Sequence, residues 1–203
     1  KTEQVEYGQK ATAPEAPAVE GYEFKGWDVA FDNITADTTV TAQFEQNAVA
    51  ADFFTFAEGA DTANIVVSTE ADYIYFKAGA LTADALKATF DDENITITKS
   101  NGTTAVTGAT AVGTTCLITS TINGASETRT IIVLGDVSGD GKVTSADYNQ
   151  ILNCAKGNIT FTGVKQIAAN VAVPSTATIN SSDYNQVLNF AKGNLTKFST
   201  AVK

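Results

Sequence analysis

The chain changes its hydrophobic rhythm once, near residue 143. Before that point, short runs rich in β-branched and aromatic residues follow one another, parted by Gly, Asn and Asp: "NIVVST" from Asn64, "DYIYFKA" from Asp72, "NITITKS" from Asn94, "CLITSTI" from Cys116 and "TRTIIVLG" from Thr128. Such runs predict strands. Further upstream, "YEFKGW" from Tyr22 alternates aromatic with polar residues as a half-buried strand does, which makes Trp27 a core residue before it is a sugar platform. One interruption, "LTADALKATF", predicts a short helix capped by Thr82 that leans Ala85, Leu86 and Phe90 on the sheet. Beyond 143 the apolar positions recur at helical spacing. Tyr148, Ile151, Leu152 and Ala155 fall at i, i+3, i+4 and i+7, as do Tyr184, Val187, Leu188 and Ala191.

These last two faces belong to an internal repeat. "VTSADYNQILNCAKGNIT" from Val143 returns as "INSSDYNQVLNFAKGNLT" from Ile179, identical at 12 of 18 positions. Each copy predicts a helix with Ser145 or Ser181 as N-cap, an acid behind it at the positive helix end, and Gly157 or Gly193 as the stop. Two such apolar faces can bury each other.

The first copy is preceded by "GDVSGDGKVTSAD", which sets oxygen-bearing side chains at every second position. Counted as a calcium loop, Asp136, Ser138 and Asp140 supply side chains at positions 1, 3 and 5, Lys142 its carbonyl at 7, Thr144 a hydroxyl or a water at 9, and Asp147 the closing carboxylate at 12. Gly141 falls at position 6, where the loop must turn sharply, and Val143 at 8 can pin it to a core. Ser138 and Asp147 depart from the usual Asp or Asn and Glu.

Composition removes competing functions. The chain carries 23 acidic and 13 basic residues, a net charge of −10, with no Lys/Arg cluster to attract nucleic acid. It has no histidine and two cysteines, Cys116 and Cys154, so zinc sites and histidine-based triads are excluded. Both cysteines sit in apolar contexts and are expected as buried small hydrophobes, not a disulfide. Carboxylates at Asp52, Glu58, Asp61, Glu70, Asp72 and Asp84 raise a glycosidase-like alternative, but no aromatic platforms cluster around them. No apolar run approaches the length of a membrane span, the first residues lack a signal-peptide pattern, and the chain reads as a piece of a larger protein.

A calcium loop followed by a helix, given twice within about 60 residues, resembles the dockerin family from Gly135 to about Leu195. That resemblance implies a non-catalytic module of a secreted or cell-surface protein that docks its parent onto a cohesin, building a cellulosome-like complex in a calcium-dependent way. It also implies two loop-helix units with a connecting helix around "TGVKQIAANV", monomeric when free. Carried over by position, the partner would be met by Ser145, Ala146, Leu152 and Asn153 in the first copy and by Ser181, Ser182, Leu188 and Asn189 in the second; Leu152 and Leu188 read equally as core. No basic pair stands at the later positions, which implies a cohesin of a different specificity group. The second loop departs from the family, because "AVPSTAT" adds residues and a Pro174 and leaves no Asp before Asp183, with Ser175, Thr176 and Asn180 to offer neutral oxygens in place of carboxylates. One calcium is therefore expected, at Asp136 to Asp147.

Upstream, "YG" at Tyr7, "AP" at Ala13, "GYEFKGW" and "TADTTVTAQF" resemble a partial Listeria-Bacteroides surface repeat, a β-grasp-like unit that lacks its first strand here, as though Lys1 were a cut end. The β-rich middle resembles, by position and texture, the X modules that precede some dockerins; spacer and cohesin-supporting module stay open. The expected fold class is multi-domain: a partial β-grasp-like repeat over 1–47, a β-rich Ig-like or X-module-like domain with a short helix over 48–134, and an α-helical dockerin with EF-hand-like loops over 135–203. A surface adhesion or carbohydrate-binding role for the upstream half is the alternative.

Overall fold

The computed structural model describes residues 2–19, 22–46, 52–92, 94–172 and 178–199. Contacts divide the chain into two compact units, 1–51 and 52–203.

In the first unit, β1 (Tyr22–Trp27) pairs antiparallel with β2 (Ala42–Gln46). The register shifts between Phe24 and Gly26, where Gly26 takes φ 133° and the ladder gains a bulge. Two strands alone hold poorly. Here edge-on aromatic contacts add to the pairing: Phe24 meets Trp27 at 5.4 Å and Phe44 at 5.8 Å, and Trp27 meets Phe31 at 6.1 Å. Trp27 is thus half-buried among aromatic rings, in keeping with a core role.

The second unit is built on five strands: β3 (Ile65–Val67), β4 (Tyr73–Phe76), β5 (Ile95–Thr98), β6 (Leu117–Ile122) and β7 (Ala125–Val133). Their order is β3-β4-β7-β6-β5, with β4 parallel to β7 and the other pairs antiparallel. Helix α1 (Ala83–Lys87) lies on the front, capped by Thr82, whose hydroxyl accepts from the Ala85 amide at 3.2 Å. Alternation in β4 and β7 sorts the core into two layers. Ile74, Phe76, Ile131 and Val133 join Phe54, Leu86, Phe90, Val106 and Val112 on one face. Tyr75, Ile132 and Leu134 join Val137, Ile151, Ala168, Val171, Val187 and Phe198 on the other.

That second layer corrects the expected fold class. The unit is one five-stranded sheet with four short helices among the described residues, and the segment after 134 is not a free-standing α-helical dockerin behind two β modules. Helices α2 (Ser145–Ala155), α3 (Val164–Ala169) and α4 (Ser181–Ala191) share one continuous core with the rear of the sheet. The reason is size. Within α2 and α4 only one apolar side chain each, Ile151 and Val187, is fully buried, too little to hold a separate domain together. Each further apolar side chain buried on the sheet stabilises by about 1.5–3 kcal/mol, so fusing the two layers is strongly favoured. Backbone bonds stitch the join: Leu134 N–H donates to Phe76 O at 3.0 Å, Gly135 N–H to Ala168 O at 2.7 Å and Phe198 N–H to Lys77 O at 2.8 Å.

Gly135 turns the chain from β7 into the loop at φ +86°, and a Cβ there would lie 2.9 Å from the Phe198 ring and 3.0 Å from Val143. Gly135→Ala should therefore destabilise this unit by about 1–3 kcal/mol, from left-handed strain and overpacking together. Urea unfolding monitored by tyrosine fluorescence checks it, and a loss under 0.5 kcal/mol would refute the tight packing.

Candidate functional site: the Asp136–Asp147 loop and the paired helices

The loop between β7 and α2 is organised by two fully buried carboxylates. Asp136 Oδ1 accepts from Gly139 N–H at 2.7 Å and the Ser138 hydroxyl at 3.1 Å, and Oδ2 accepts from Gly141 N–H at 3.0 Å. Gly139 and Gly141, at φ +81° and +79°, supply the left-handed turns that aim these amides inward. A third amide comes from outside the loop: Thr114 N–H donates to Asp136 Oδ2 at 3.0 Å. Asp147 Oδ1 accepts from Val137 and Ser138 N–H at 3.1 and 3.0 Å, and Oδ2 from Thr144 N–H and its hydroxyl at 3.0 and 3.2 Å. Burial pushes the Asp136 carboxyl above its ordinary range and the Asp147 charge adds to that push, while the three backbone amides pull the other way.

Asp147 serves also as the N3 member of a capping box in which Thr144, not Ser145, is the N-cap; in α4 the pair is Asn180 and Asp183, not Ser181. Both serines stand one position inside the helix. At the far ends Gly157 and Gly193, at φ 75° and 76°, follow the C-caps as the sequence predicts. Cys116 is buried and Cys154 half-buried, both as free thiols.

The expected ligands are gathered only in part. Asp136, Ser138, Thr144 and Asp147 form one hydrogen-bonded group. Asp140 is exposed, with its Oδ1 taking the Lys142 amide at 2.8 Å, so Lys142 enters through its N–H. Among the described residues no three acidic or soft side chains stand close enough together to hold a metal ready-made. The donor chemistry nonetheless suits a hard cation. Its oxygens are carboxylate and hydroxyl, and two buried like charges face each other with no basic side chain in a salt bridge to either, among the described residues. In the second loop Asp183 is likewise buried, accepting from Ala172 and Asn180 N–H at 2.9 Å each. Pro174, Ser175 and Thr176, and with them the question of a second calcium, lie outside the described residues.

Beyond the caps the helices form a matched pair. Tyr148 meets its counterpart Tyr184 edge-on at 6.1 Å, and Ile151 and Val187 are buried at equivalent positions. Equivalent residues of the two copies are thus brought together. Ser145, Ala146 and Asn153 are exposed on α2, as are Ser181, Ser182 and Asn189 on α4. Leu152 and Leu188 are half-buried and lie outside the apolar cluster that joins helices to sheet, which separates them from the core. The sequence reading missed Thr114, because a threonine amide 22 residues from its acceptor leaves no local signal. Compared with known proteins, the chain matches no family model, no curated protein and no solved structure.

Proposed function

We propose that this chain is a non-catalytic, calcium-dependent docking module that fastens an extracellular parent protein onto a cohesin-type partner, as its resemblance to dockerins implies. The observation that carries the reading is the matched pair of helices. Each presents a small, uncharged tip at its start, Ser145 and Ala146 or Ser181 and Ser182, an exposed Asn about two turns further on, and a buried capping acid. Small exposed residues beside half-exposed Leu152 and Leu188 suit a flat protein partner better than a small molecule, which needs a concave site.

Calcium would be held by Asp136 and Asp147, with oxygens from Ser138, Asp140, Thr144 and Lys142, and when bound it supplies the positive charge those buried carboxylates lack. The residues themselves do the positioning. Asp136 closes the loop on its own amides, and Asp147 fixes the first turn of α2, so that Ser145 and Ala146 are held before a partner arrives. Asp183 caps α4 in the same way, so the difference between the tips lies in the metal: the one held also by a bound cation loses less entropy on binding, which favours one dominant mode through α2.

Ala146→Lys should therefore weaken cohesin binding by about tenfold or more, some 1.4 kcal/mol, while Ser182→Lys does little. Titration against a purified cohesin, with and without chelator, tests both the partner class and the metal dependence. Equal tolerance at the two positions, with loss only in the double variant, would show two interchangeable modes instead.

A further inference from the structure

The loop is held from outside by a turn of the sheet. In residues 113–115, just before β6, Gly113 fits against the loop so closely that a Cβ on it would overlap the Gly139 carbonyl and lie 2.6 Å from the Gly141 nitrogen. A Cβ on Gly139 would in turn lie 2.9 Å from the Thr114 carbonyl, and one on Gly141 2.8 Å from Ala111 Cβ. At Gly113 and Gly139 backbone therefore meets backbone with no side chain between. Thr114, itself buried, gives its amide to Asp136, and its hydroxyl both donates to Val133 O and accepts from Val133 N–H at 3.1 Å each. Thr115 follows at φ +77°, a costly conformation for a β-branched residue, and is held there with its N–H on Ile131 O at 3.0 Å. Strain of this kind persists only where the surroundings over-determine it, and it tends to sit beside functional groups.

We propose that the Gly113–Thr114–Thr115 turn is a positioning element for the cation loop: it fixes the Asp136 carboxylate by the Thr114 amide and the loop backbone by contact with Gly113, and so sets the loop's calcium affinity from the β-sheet. None of the three residues is a ligand. They act through Asp136, and the inference rests on the calcium reading above. It also gives the β-rich segment a task other than spacing, since the loop's shape is completed by residues that lie before 134.

The test is calcium titration by calorimetry on the whole chain, with melting in chelator alongside. Gly113→Ala should raise the calcium Kd by about tenfold or more in protein that remains folded at the titration temperature. Thr114→Val, which loses the hydroxyl tie to Val133, should raise it by roughly threefold, and Thr114→Ser, which keeps that tie, should stay within about twofold of the unaltered chain. The Thr114 pair decides the matter even where Gly113→Ala does not fold. A purely structural turn would lower the melting temperature equally with and without calcium and leave Kd unchanged in Gly113→Ala and Thr114→Val, and that result overturns the proposal while leaving the calcium reading intact. An unaltered chain that takes up no calcium overturns both.

Discussion

Asp136→Ala should cost the 52–203 unit at least about 2 kcal/mol even with all calcium removed, because it strands two buried backbone N–H groups, those of Thr114 and Gly141, at about 1–3 kcal/mol each, and a half-buried third, that of Gly139. The loss sits toward the lower end of that sum, since the carboxylate is itself buried and close to Asp147, and its removal relieves some desolvation and repulsion. Asp140→Ala provides the contrast. Its carboxylate is exposed and accepts one described bond, from Lys142, so the change should cost under about 1 kcal/mol in chelator while still weakening calcium binding. Urea unfolding of both variants in chelator measures the difference. Small and equal losses would mean that Asp136 is not a structural knot, whatever its part in metal binding.

Chelating calcium should lower the melting of sheet and helices together, in one transition. A cation present at about a thousand times its Kd contributes about 4 kcal/mol to the folded state, which for a unit of this size is on the order of 10 °C. With separate modules the loss would stop at the helices. Here Ile132 and Leu134 share their layer with Ile151, Val187 and Phe198, so the sheet loses its rear cover when the helices go. Hydrogen exchange at the Ile118 and Ile151 amides, one in β6 and one in α2, should show the same opening free energy and the same drop on chelation. Helices that melt first over an intact sheet would refute the shared core.

Much of this molecule was legible in its pattern. The strands from Ile65 to Val133, the Thr82 cap, the two repeat helices after 143 and the glycine stops all follow from local rules, because each depends on residues within a few positions; the helix between the copies was expected from the dockerin resemblance alone. The N-caps slipped by one, to Thr144 and Asn180, since Ser145 and Ser181 have equally good capping chemistry and only the loop's path selects between neighbours. The loop's alternation of oxygen-bearing side chains was plain, yet its two buried carboxylates are engaged by backbone amides, a competition that spacing alone does not reveal. The fused architecture had a trace that went unread. "YIYF" and "IIVL" are apolar at consecutive positions where a one-sided sheet would alternate, and that is how a strand covered on both faces reads. What lies over the second face is a long-range matter, as is the Thr114 amide.

The parallel pairing of β4 with β7 has a consequence for the order in which the molecule can be made. Tyr73 must find Thr130, so the centre of the sheet waits for more than fifty residues of chain, and such distant pairings form slowly. Even then, a chain emerging from synthesis only as far as Leu134 has the front of its sheet covered by α1 and the rear bare. Tyr75, Ile132 and Leu134 stay open to water, or to a neighbouring nascent chain, until α2, α4 and finally Phe198 have been released. The residues that follow the sheet are thus the ones that end the sheet's exposure to misassembly, and the Asp136–Asp147 loop stands at the hinge between what must already be folded and what has yet to arrive.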